Sequence, residues 1–276
     1  MTVCIAAVCE NGEKIVVAAD RMYTSPSPVN IEFESSVSKL EELNDNAVLL
    51  GSGNLAVITE IVRKTKEAIT AAKAGPKFSI IDQVRKVYEE VRLEKAYEQI
   101  VAPMLGKEFS DLSKSKGATI PSYLASQKEI FQAIVMQQQQ FNLMTELLIA
   151  EVDDNDAQIA VVTHPAVSYI LDKLGYGSTG SGAIHAISSL NLIGQKRDLS
   201  LYNTLYNVYR AKKVSEVAPG VGKATDIAVI RKGEKIFHCD EEVFKALEKT
   251  LQGAETKNEI NINLIKEIYD RRSKSQ

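Results

Sequence analysis

The sequence predicts an α+β fold in which two β-sheets lie face to face between two layers of helices. Stretches with strand and helix patterns follow one another in the order strands, helix pair, strands, helix pair, strands. Each predicted helix is amphipathic, and the first two strands are apolar at nearly every residue, so both faces of their sheet are expected to be covered. Two facing sheets between helical layers satisfy these observations, although the same order also suits other layered α/β proteins.

The chain opens with a predicted hairpin. Its strands are Thr2–Cys9 and Lys14–Ala19, and Asn11-Gly12 between them is a strong turn signal. A loop rich in Ser, Thr and Pro is expected at Tyr23–Asn30, and a further strand at Ala47–Leu50.

Helical patterns follow this first set of strands. Apolar residues recur at helical spacing from Val57 to Ala72, and a second helix is predicted to begin at Ser79. Pro103–Thr119 is expected to loop out, and Pro121–Gln140 resumes a helical pattern. Because the interval 76–140 is longer than a helix pair needs, we predict an enlarged helical region there, within a single domain spanning residues 1–276.

The second half of the chain repeats the order of the first. We predict strands at Leu143–Val152 and Gln158–Thr163, a helix marked by Ile184, Ile187 and Leu190, a helix at Leu201–Lys213, strands at Asp226–Ile230 and Lys235–Cys239, a helix capped by Asp240, and a last helix at Glu259–Arg271.

The composition is ordinary for a globular protein, with 45% hydrophobic and 25% charged residues. The net charge of −3 is spread along the chain, so neither nucleic acid nor a membrane surface is indicated as a partner. No apolar run reaches transmembrane length and the short first strand does not resemble a signal sequence, so a cytoplasmic location is expected.

The cysteines and acidic clusters do not predict a metal site. Cys4, Cys9 and Cys239 form an odd set without metal-ligand spacing, and we expect buried, reduced thiols. The cluster at Asp153–Asp156 fits a hairpin turn better than a calcium loop, because the full ligand spacing is missing. No metal and no cofactor are therefore predicted.

Thr2 is the candidate nucleophile. If Met1 is removed, as the small side chain after it favours, Thr2 presents a hydroxyl and a free α-amine on one residue. A hydroxyl must lose its proton as it attacks, and an α-amine, with a reference pKa of about 7.7–8.0, is suited to take that proton. Taken alone, a Met-Thr opening indicates no more than an ordinary first strand.

Several further motifs agree with a nucleophile at Thr2. They are Val17–Arg21, Ser38–Leu40, Leu50–Gly53, Thr179–Gly182 and Asp226–Ile230. With Thr2 at the head of a strand, they resemble a β-type subunit of the proteasome family, within the N-terminal-nucleophile hydrolases. The resemblance extends over most of residues 2–240 and is thin between 76 and 140. The opening is most similar to the Anbu type and the bacterial two-ring proteases.

The resemblance implies a four-layer αββα sandwich of the N-terminal-nucleophile hydrolase type and a threonine peptidase that assembles with copies of itself into a ring or spiral. Lys39 would lie beside Thr2 and ease its deprotonation, and Asp20 would pair with Lys39. Gly51 would offer its N–H to the oxyanion, and Ser181 would bind near the Thr2 amine. The alternatives are a surface lysine, a turn aspartate, a tight turn at Gly51 and a helix cap at Ser181.

The chain departs from the family late in the fourth helix. Many catalytic subunits carry an Asp and a Ser after a Tyr-Arg pair, whereas this chain has Tyr209–Glu216 without that Asp, and Ser215 or Glu216 is left as a substitute. Two alternatives to a peptidase stay open, of which the second is motivated by this missing residue. One is a transpeptidase or non-peptide amidase on the same fold, and the other is a catalytically silent scaffold subunit. An ATPase partner also stays open.

The resemblance also implies a substrate pocket lined by residues at fixed offsets from these motifs. They are Tyr23, Val37, Leu49 as much of its floor, and Gly53. Apolar walls favour cleavage of a peptide or unfolded protein after Leu, Tyr or Phe. Glu41 is the complication, because its carboxylate would admit a basic residue if it pointed inward.

Overall fold

The computed structural model of the chain describes residues 2–25, 31–72, 79–105, 128–153, 156–257 and 260–274. The fold is of mixed α and β type, and all of its strand pairings in these ranges are antiparallel. The strands are β1 (Cys4–Cys9), β2 (Lys14–Asp20), β3 (Met22–Ser25), β4 (Ile31–Glu34), β5 (Leu40–Asn44), β6 (Ala47–Gly53), β7 (Thr145–Val152), β8 (Ala157–Thr163), β9 (Val167–Ile170), β10 (Tyr176–Thr179), β11 (Thr225–Arg231) and β12 (Phe237–His238).

The helices carry most of the remaining described residues. They are α1 (Leu55–Ala71), α2 (Ile80–Ala96), α3 (Ala102–Leu105), α4 (Lys128–Gln140), α5 (Ala183–Leu192), α6 (Leu201–Ser215), α7 (Glu241–Lys257) and α8 (Ile262–Ser273), with a π-helical turn at Tyr97–Val101 between α2 and α3. In the described part of the chain, no helix has both the length and the hydropathy needed to cross a bilayer.

The strands form two five-stranded sheets and a small ribbon. The first sheet has the order β10-β1-β2-β11-β12, the second runs β5-β6-β7-β8-β9, and β3 pairs only with β4. The predicted opening hairpin is confirmed, because Cys4 pairs with Ala19 and Cys9 with Lys14. Its turn places Asn11 and Gly12 at φ angles of 58° and 96°, a left-handed conformation that Asn and Gly tolerate best.

Alternation along β1 divides its side chains between two cores. Ile5 and Ala7 belong to a cluster with side chains of α5, α6, α7 and α8, whereas Cys4, Ala6 and Val8 belong to a cluster shared with the second sheet. Burial on both faces explains why this strand is apolar at nearly every residue. The predicted burial of the thiols is confirmed for Cys4 and Cys9, whereas Cys239 is partly exposed.

The second sheet is also covered on both faces. Val48, Leu50 and Leu148 face β1 and β2, while Leu49 and Ile149 pack with the apolar sides of α1 and α2. Asn54 caps α1 by accepting hydrogen bonds from the second and third N–H groups after it, and so ends β6 and starts the helix within two residues.

Several short strands correct the predicted layout. The predicted loop at Tyr23–Asn30 contains part of β3, with 26–30 outside the described residues. The predictions also missed β5, β9 and β10, and the strand predicted at Lys235–Cys239 is only the two residues of β12. The interval Pro103–Thr119 begins within α3, and its remainder from 106 lies outside the described residues, as do 121–127 of the predicted helix that continues as α4.

Candidate active site

Thr2 lies two residues before β1, where hydrogen bonds from two other parts of the chain hold the backbone. Its carbonyl oxygen accepts a hydrogen bond from Gly182 N at 3.1 Å, and the next carbonyl, of Val3, accepts one from Asp20 N at 3.2 Å. β1 lies between β10 and β2, and its first residue, Cys4, pairs with Thr179 on one side and with Ala19 on the other. Thr2 is 2% exposed.

The side chains of Thr2, Asp20 and Lys39 meet at this point. The Thr2 hydroxyl donates to Asp20 Oδ1 at 2.6 Å, and Lys39 Nζ donates to both Thr2 Oγ1 and Asp20 Oδ1, the latter at 3.0 Å. Asp20 is the last residue of β2, and Lys39 comes directly before β5. Both charged groups are buried, with 0% and 8% of their surface exposed. Burial of two charges is tolerated because each is paired and hydrogen-bonded.

Backbone N–H groups hold both oxygens of the Asp20 carboxylate. Val3 N donates to Oδ1 at 2.9 Å, and Met22 N and Gly222 N donate to Oδ2 at 2.9 and 3.1 Å. Burial by itself raises the pKa of this carboxyl, but the Lys39 charge and the hydrogen bonds outweigh it and leave the pKa below the ordinary value. Asp20 is therefore a fixed anion and a weak base.

Ser181 contacts the backbone of Thr2. Thr2 N donates to Ser181 Oγ at 3.2 Å, and Ser181 Oγ lies 3.3 Å from two acceptors, Thr2 O and Pro219 O. The residue precedes α5, in the turn where Gly180 has a φ of 91°. A Cβ at Gly180 would lie 2.4 Å from Thr2 O, so the close approach of this turn to Thr2 requires glycine.

Gly51 lies on β6, next to the start of β1. Cys4 Sγ is 3.7 Å from Gly51 O. The register pairs Leu50 with Leu40, the first residue of β5, so Gly51 lies beyond the paired end of that strand. A Cβ at Gly51 would come within 2.7 Å of Ile58 on α1, which explains the glycine on packing grounds.

The predicted pocket positions have different environments. The Tyr23 ring lies 5.1 Å from Lys39 Nζ and stacks on Phe33, with a centroid distance of 6.4 Å. Val37 and Gly53 are exposed, whereas Leu49 is fully buried beneath α1 and α2. The structure therefore places Tyr23 beside the Thr2 cluster and gives Leu49 no accessible surface.

Glu41, whose carboxylate was expected to affect the specificity of the pocket, is paired with a lysine. Glu41 Oε2 accepts a hydrogen bond from Lys66 Nζ of α1 at 3.3 Å. Both side chains are partly exposed, so the ion pair is weak, but it directs the carboxylate toward α1.

Ser215 and Glu216 are the candidate substitutes for the missing aspartate. Among the described residues, neither makes a hydrogen bond with Thr2. Ser215 Oγ donates to Ala211 O at 2.7 Å within α6, and Glu216 binds Lys212 and Lys213 at 2.6 and 2.9 Å.

Sequence reasoning missed the buried Lys212 and the contact of Gly222 with Asp20. A signal for Lys212 was present, because it continues the buried stripe of Leu205 and Val208 along α6.

Two other kinds of chemistry have little support in the described part of the chain. Groups of three or more His, Cys, Asp or Glu residues able to hold a metal ion do not occur there. Cys4 is near the cluster, but burial raises the pKa of its thiol to about 12, so it is a poor source of thiolate.

The sequence matches no protein-family model and no curated protein at a significant level. The features of the chain that bear on its function are therefore the cluster of Thr2, Asp20 and Lys39 and the polar groups that hold it.

Proposed function

We propose that this protein is a threonine-type N-terminal-nucleophile hydrolase that cleaves peptide bonds through an acyl-enzyme on Thr2. The observation that carries the proposal is the meeting of Thr2 Oγ1, Lys39 Nζ and Asp20 Oδ1 at the start of β1. A hydroxyl between a cation and a carboxylate, on a residue whose nitrogen contacts a serine, suits a nucleophile that uses its own α-amine as base.

The arrangement of the cores supports the corresponding fold. One core is shared by the two sheets, and each sheet packs its other face against helices. We infer the four-layer αββα sandwich of the N-terminal-nucleophile hydrolases, related to proteasome β-type subunits.

The choice of base follows from the charges. Asp20 has a lowered pKa and makes a poor acceptor near neutral pH, although its Oδ1 is closest to the hydroxyl. An α-amine with a pKa near 8 is better matched once Met1 has been removed. In this scheme Asp20 fixes Lys39, and the Lys39 charge stabilises the developing alkoxide.

Acylation begins when Thr2 Oγ1 bonds to the carbonyl carbon of the substrate and its proton passes to the α-amine. The carbonyl electron pair moves to oxygen, and the Gly51 N–H stabilises that oxyanion. Collapse breaks the C–N bond, and the leaving amine takes the proton from the ammonium. Water then adds to the ester and gives a proton to the α-amine, and Thr2 Oγ1 recovers it as the C–O bond breaks.

Intact-mass spectrometry with a β-lactone acylating probe tests this proposal. The untreated protein should have the mass of the chain without Met1, and the lactone should add one acyl group that peptide mapping places on Thr2. Thr2→Ala should remain unlabelled, while Thr2→Ser keeps a hydroxyl and should be labelled. Lys39→Ala should fold but lose labelling and peptide hydrolysis, because it removes the charge beside Thr2 Oγ1.

Three results would count against the proposal. Retention of Met1 on fully active protein would exclude the α-amine as base, and near-normal hydrolysis by Lys39→Ala would remove the role of that residue. A folded wild type that neither reacts with the lactone nor hydrolyses peptides would favour the silent scaffold. Transfer of the acyl group to added amines would favour the transpeptidase.

A further inference from the structure

Lys212 is a lysine in an unusual position, on the buried face of α6. None of its surface is exposed. It follows Leu205 and Val208 on the side of the helix that faces the first sheet. A buried ammonium is costly unless its charge is paired and its N–H groups are all bonded, so its presence calls for acceptors nearby.

Three acceptors surround the Lys212 ammonium. Nζ donates to Glu216 Oε1 at 2.6 Å, to Gly222 O at 2.8 Å and to Lys223 O at 2.7 Å. These acceptors match the three N–H groups of an ammonium. Burial lowers the pKa of Lys212, and the neighbouring Glu216 carboxylate opposes that shift.

Lys212 binds the carbonyl groups of Gly222 and Lys223. The N–H groups of the same segment are bound by carboxylates. Gly222 N donates to Asp20 Oδ2 at 3.1 Å, and Ala224 N donates to Glu34 Oε1 at 2.9 Å. Residues 222–224 thus lie between a cation and two carboxylates, and one of these carboxylates belongs to the Thr2 cluster.

The fit of this segment is tight at Gly222. A Cβ there would lie 2.8 Å from Glu34 Oε1 and 2.9 Å from Met22 Cβ, so even alanine would displace the peptide. Met22 N is the other donor to Asp20 Oδ2. A shift at Gly222 therefore disturbs both of the backbone hydrogen bonds that hold Asp20 Oδ2.

We propose that Lys212 is a positioning residue for the Thr2 site. It holds the 222–223 backbone so that the Gly222 N–H fixes Asp20 Oδ2, and Oδ1 is thereby aimed at Thr2 and Lys39. Lys212 touches neither substrate nor the reacting atoms. The inference rests on the proposed function, and it assigns a role to the part of α6 where the family aspartate is missing.

Substitution at both ends of this connection tests the proposal. Lys212→Met removes the three donors and keeps an unbranched side chain only one atom shorter. Lys213→Met is the matched control, because Lys213 also binds Glu216, at 2.9 Å, but is partly exposed and, among the described residues, makes no hydrogen bond to residues 222–224. Gly222→Ala disturbs the same peptide from its other side and serves as the second variant if Lys212→Met does not fold.

The first readout is the kinetics of Thr2 acylation by the β-lactone. Lys212→Met and Gly222→Ala should lower the maximal acylation rate by about tenfold to a hundredfold, since small misplacements of a reacting geometry have effects of this size. The half-saturating lactone concentration should change little, and Lys213→Met should match wild type. The double variant should be little slower than either single variant, because both act through one peptide.

The second readout is amide hydrogen exchange, which does not depend on activity. Lys212→Met should speed exchange at Gly222 and Ala224 and leave the amides of α6 at the wild-type rate. Wild-type acylation and exchange in Lys212→Met would overturn the inference, as would faster exchange spread over all of α6. If wild type itself is not acylated, the proposed function fails and Lys212 has no catalytic role, while exchange at Gly222 still reports whether it holds the segment.

Discussion

At the scale of single residues, the Asp20 carboxylate is the group on which the Thr2 site converges. It accepts hydrogen bonds from Thr2, Lys39 and three backbone N–H groups, and none of its surface is exposed. An asparagine amide at this position cannot accept so many hydrogen bonds, because its NH2 group is itself a donor.

Asp20→Asn should therefore lower both activity and stability. Removing one partner of a buried ion pair leaves Lys39 uncompensated and should lower the free energy of unfolding by about 3 kcal/mol. Chemical unfolding at pH 7 measures this. Glu67→Gln, which breaks the exposed Arg63–Glu67 pair, is the control and should change stability by less than about 0.5 kcal/mol.

The pH dependence of this difference has a definite sign. The pKa of Asp20 is lower in the folded chain than its ordinary value of 3.8, so its charge stabilises the fold fully above that value. The stabilisation is lost as the pH falls through the folded pKa. The difference in the free energy of unfolding between wild type and Asp20→Asn should narrow below pH 3.8. A constant difference would contradict the assignment of Asp20 as a buried anion.

The pocket gives a second prediction at this scale. Tyr23, stacked on Phe33, offers an apolar wall beside Lys39, and Lys66 pairs the carboxylate of Glu41. Peptides with Leu, Tyr or Phe before the cut bond should be hydrolysed faster than matched peptides with Arg or Asp, because each buried methylene contributes about 0.8 kcal/mol.

Fluorogenic peptides that differ only at that residue measure the preference. Tyr23→Ala should reduce it, while Tyr169→Ala, at an exposed tyrosine on β9 of the second sheet, should leave it unchanged. Preference for Arg in the wild type would mean that Glu41 faces the substrate.

At the scale of elements, the junction of β7 with α2 contains a carboxyl group with a raised pKa. Burial, assisted by the charge of Asp153, raises the pKa of Glu151 to about 7, although the N–H groups of Ile80 and Ile81 at the start of α2 oppose the shift. The folded chain therefore holds this proton more tightly than the unfolded chain, whose value is near 4.5.

The free energy of unfolding should consequently fall as the pH rises from about 4.5 to about 7. Glu151→Gln keeps an oxygen that can accept from the N–H groups at the start of α2, but it cannot titrate. It should therefore make the decline in the free energy of unfolding smaller by about 2–3 kcal/mol. Guanidinium unfolding at several pH values measures it. Glu146→Gln, at an exposed position on the same strand, should leave the decline in place.

Elements also show what the sequence can predict. β1, β2 and β6 are buried on both faces, so continuous apolar runs identify them. β9 and β12 are edge strands, and most side chains of β9 are exposed. A continuous apolar run does not mark β9, and both strands are defined by contacts that only the folded chain makes. Thr2, Asp20 and Lys39 were predictable because each lies in a short motif at a strand end. The connection from Lys212 to Gly222 depends on tertiary packing.

At the scale of the whole molecule, large apolar side chains remain exposed on α5 and shortly after α6. Ile184 and Leu192 of α5 are 70% and 86% exposed, and Val217, shortly after α6, is 71% exposed. Contiguous exposed apolar patches, rather than single side chains, are typical of contact surfaces between chains. The ring or spiral of identical subunits that the resemblance implies would bury such side chains.

The purified protein should therefore have the mass of a multimer by light scattering. Leu192→Glu places one charge on this surface and should lower that mass, while Gln139→Glu places the same charge on the exposed side of α4 and should not. A fully active wild type with the mass of one chain would contradict the assembly.

The strand order also determines when the site can form during synthesis. β1 and β2 are made first, yet they lie inside their sheet, flanked by Tyr176–Thr179 and Thr225–Arg231. Until those late segments leave the ribosome, the hairpin has two unpaired apolar edges, which is the kind of surface that chaperones bind. Gly222 and Ser181, which hold Asp20 and Thr2, arrive with the same late part of the chain. If the proposed function holds, a nascent chain thus carries its candidate nucleophile long before Ser181 and Gly222 have been made to complete the site, and it stays inactive over that interval.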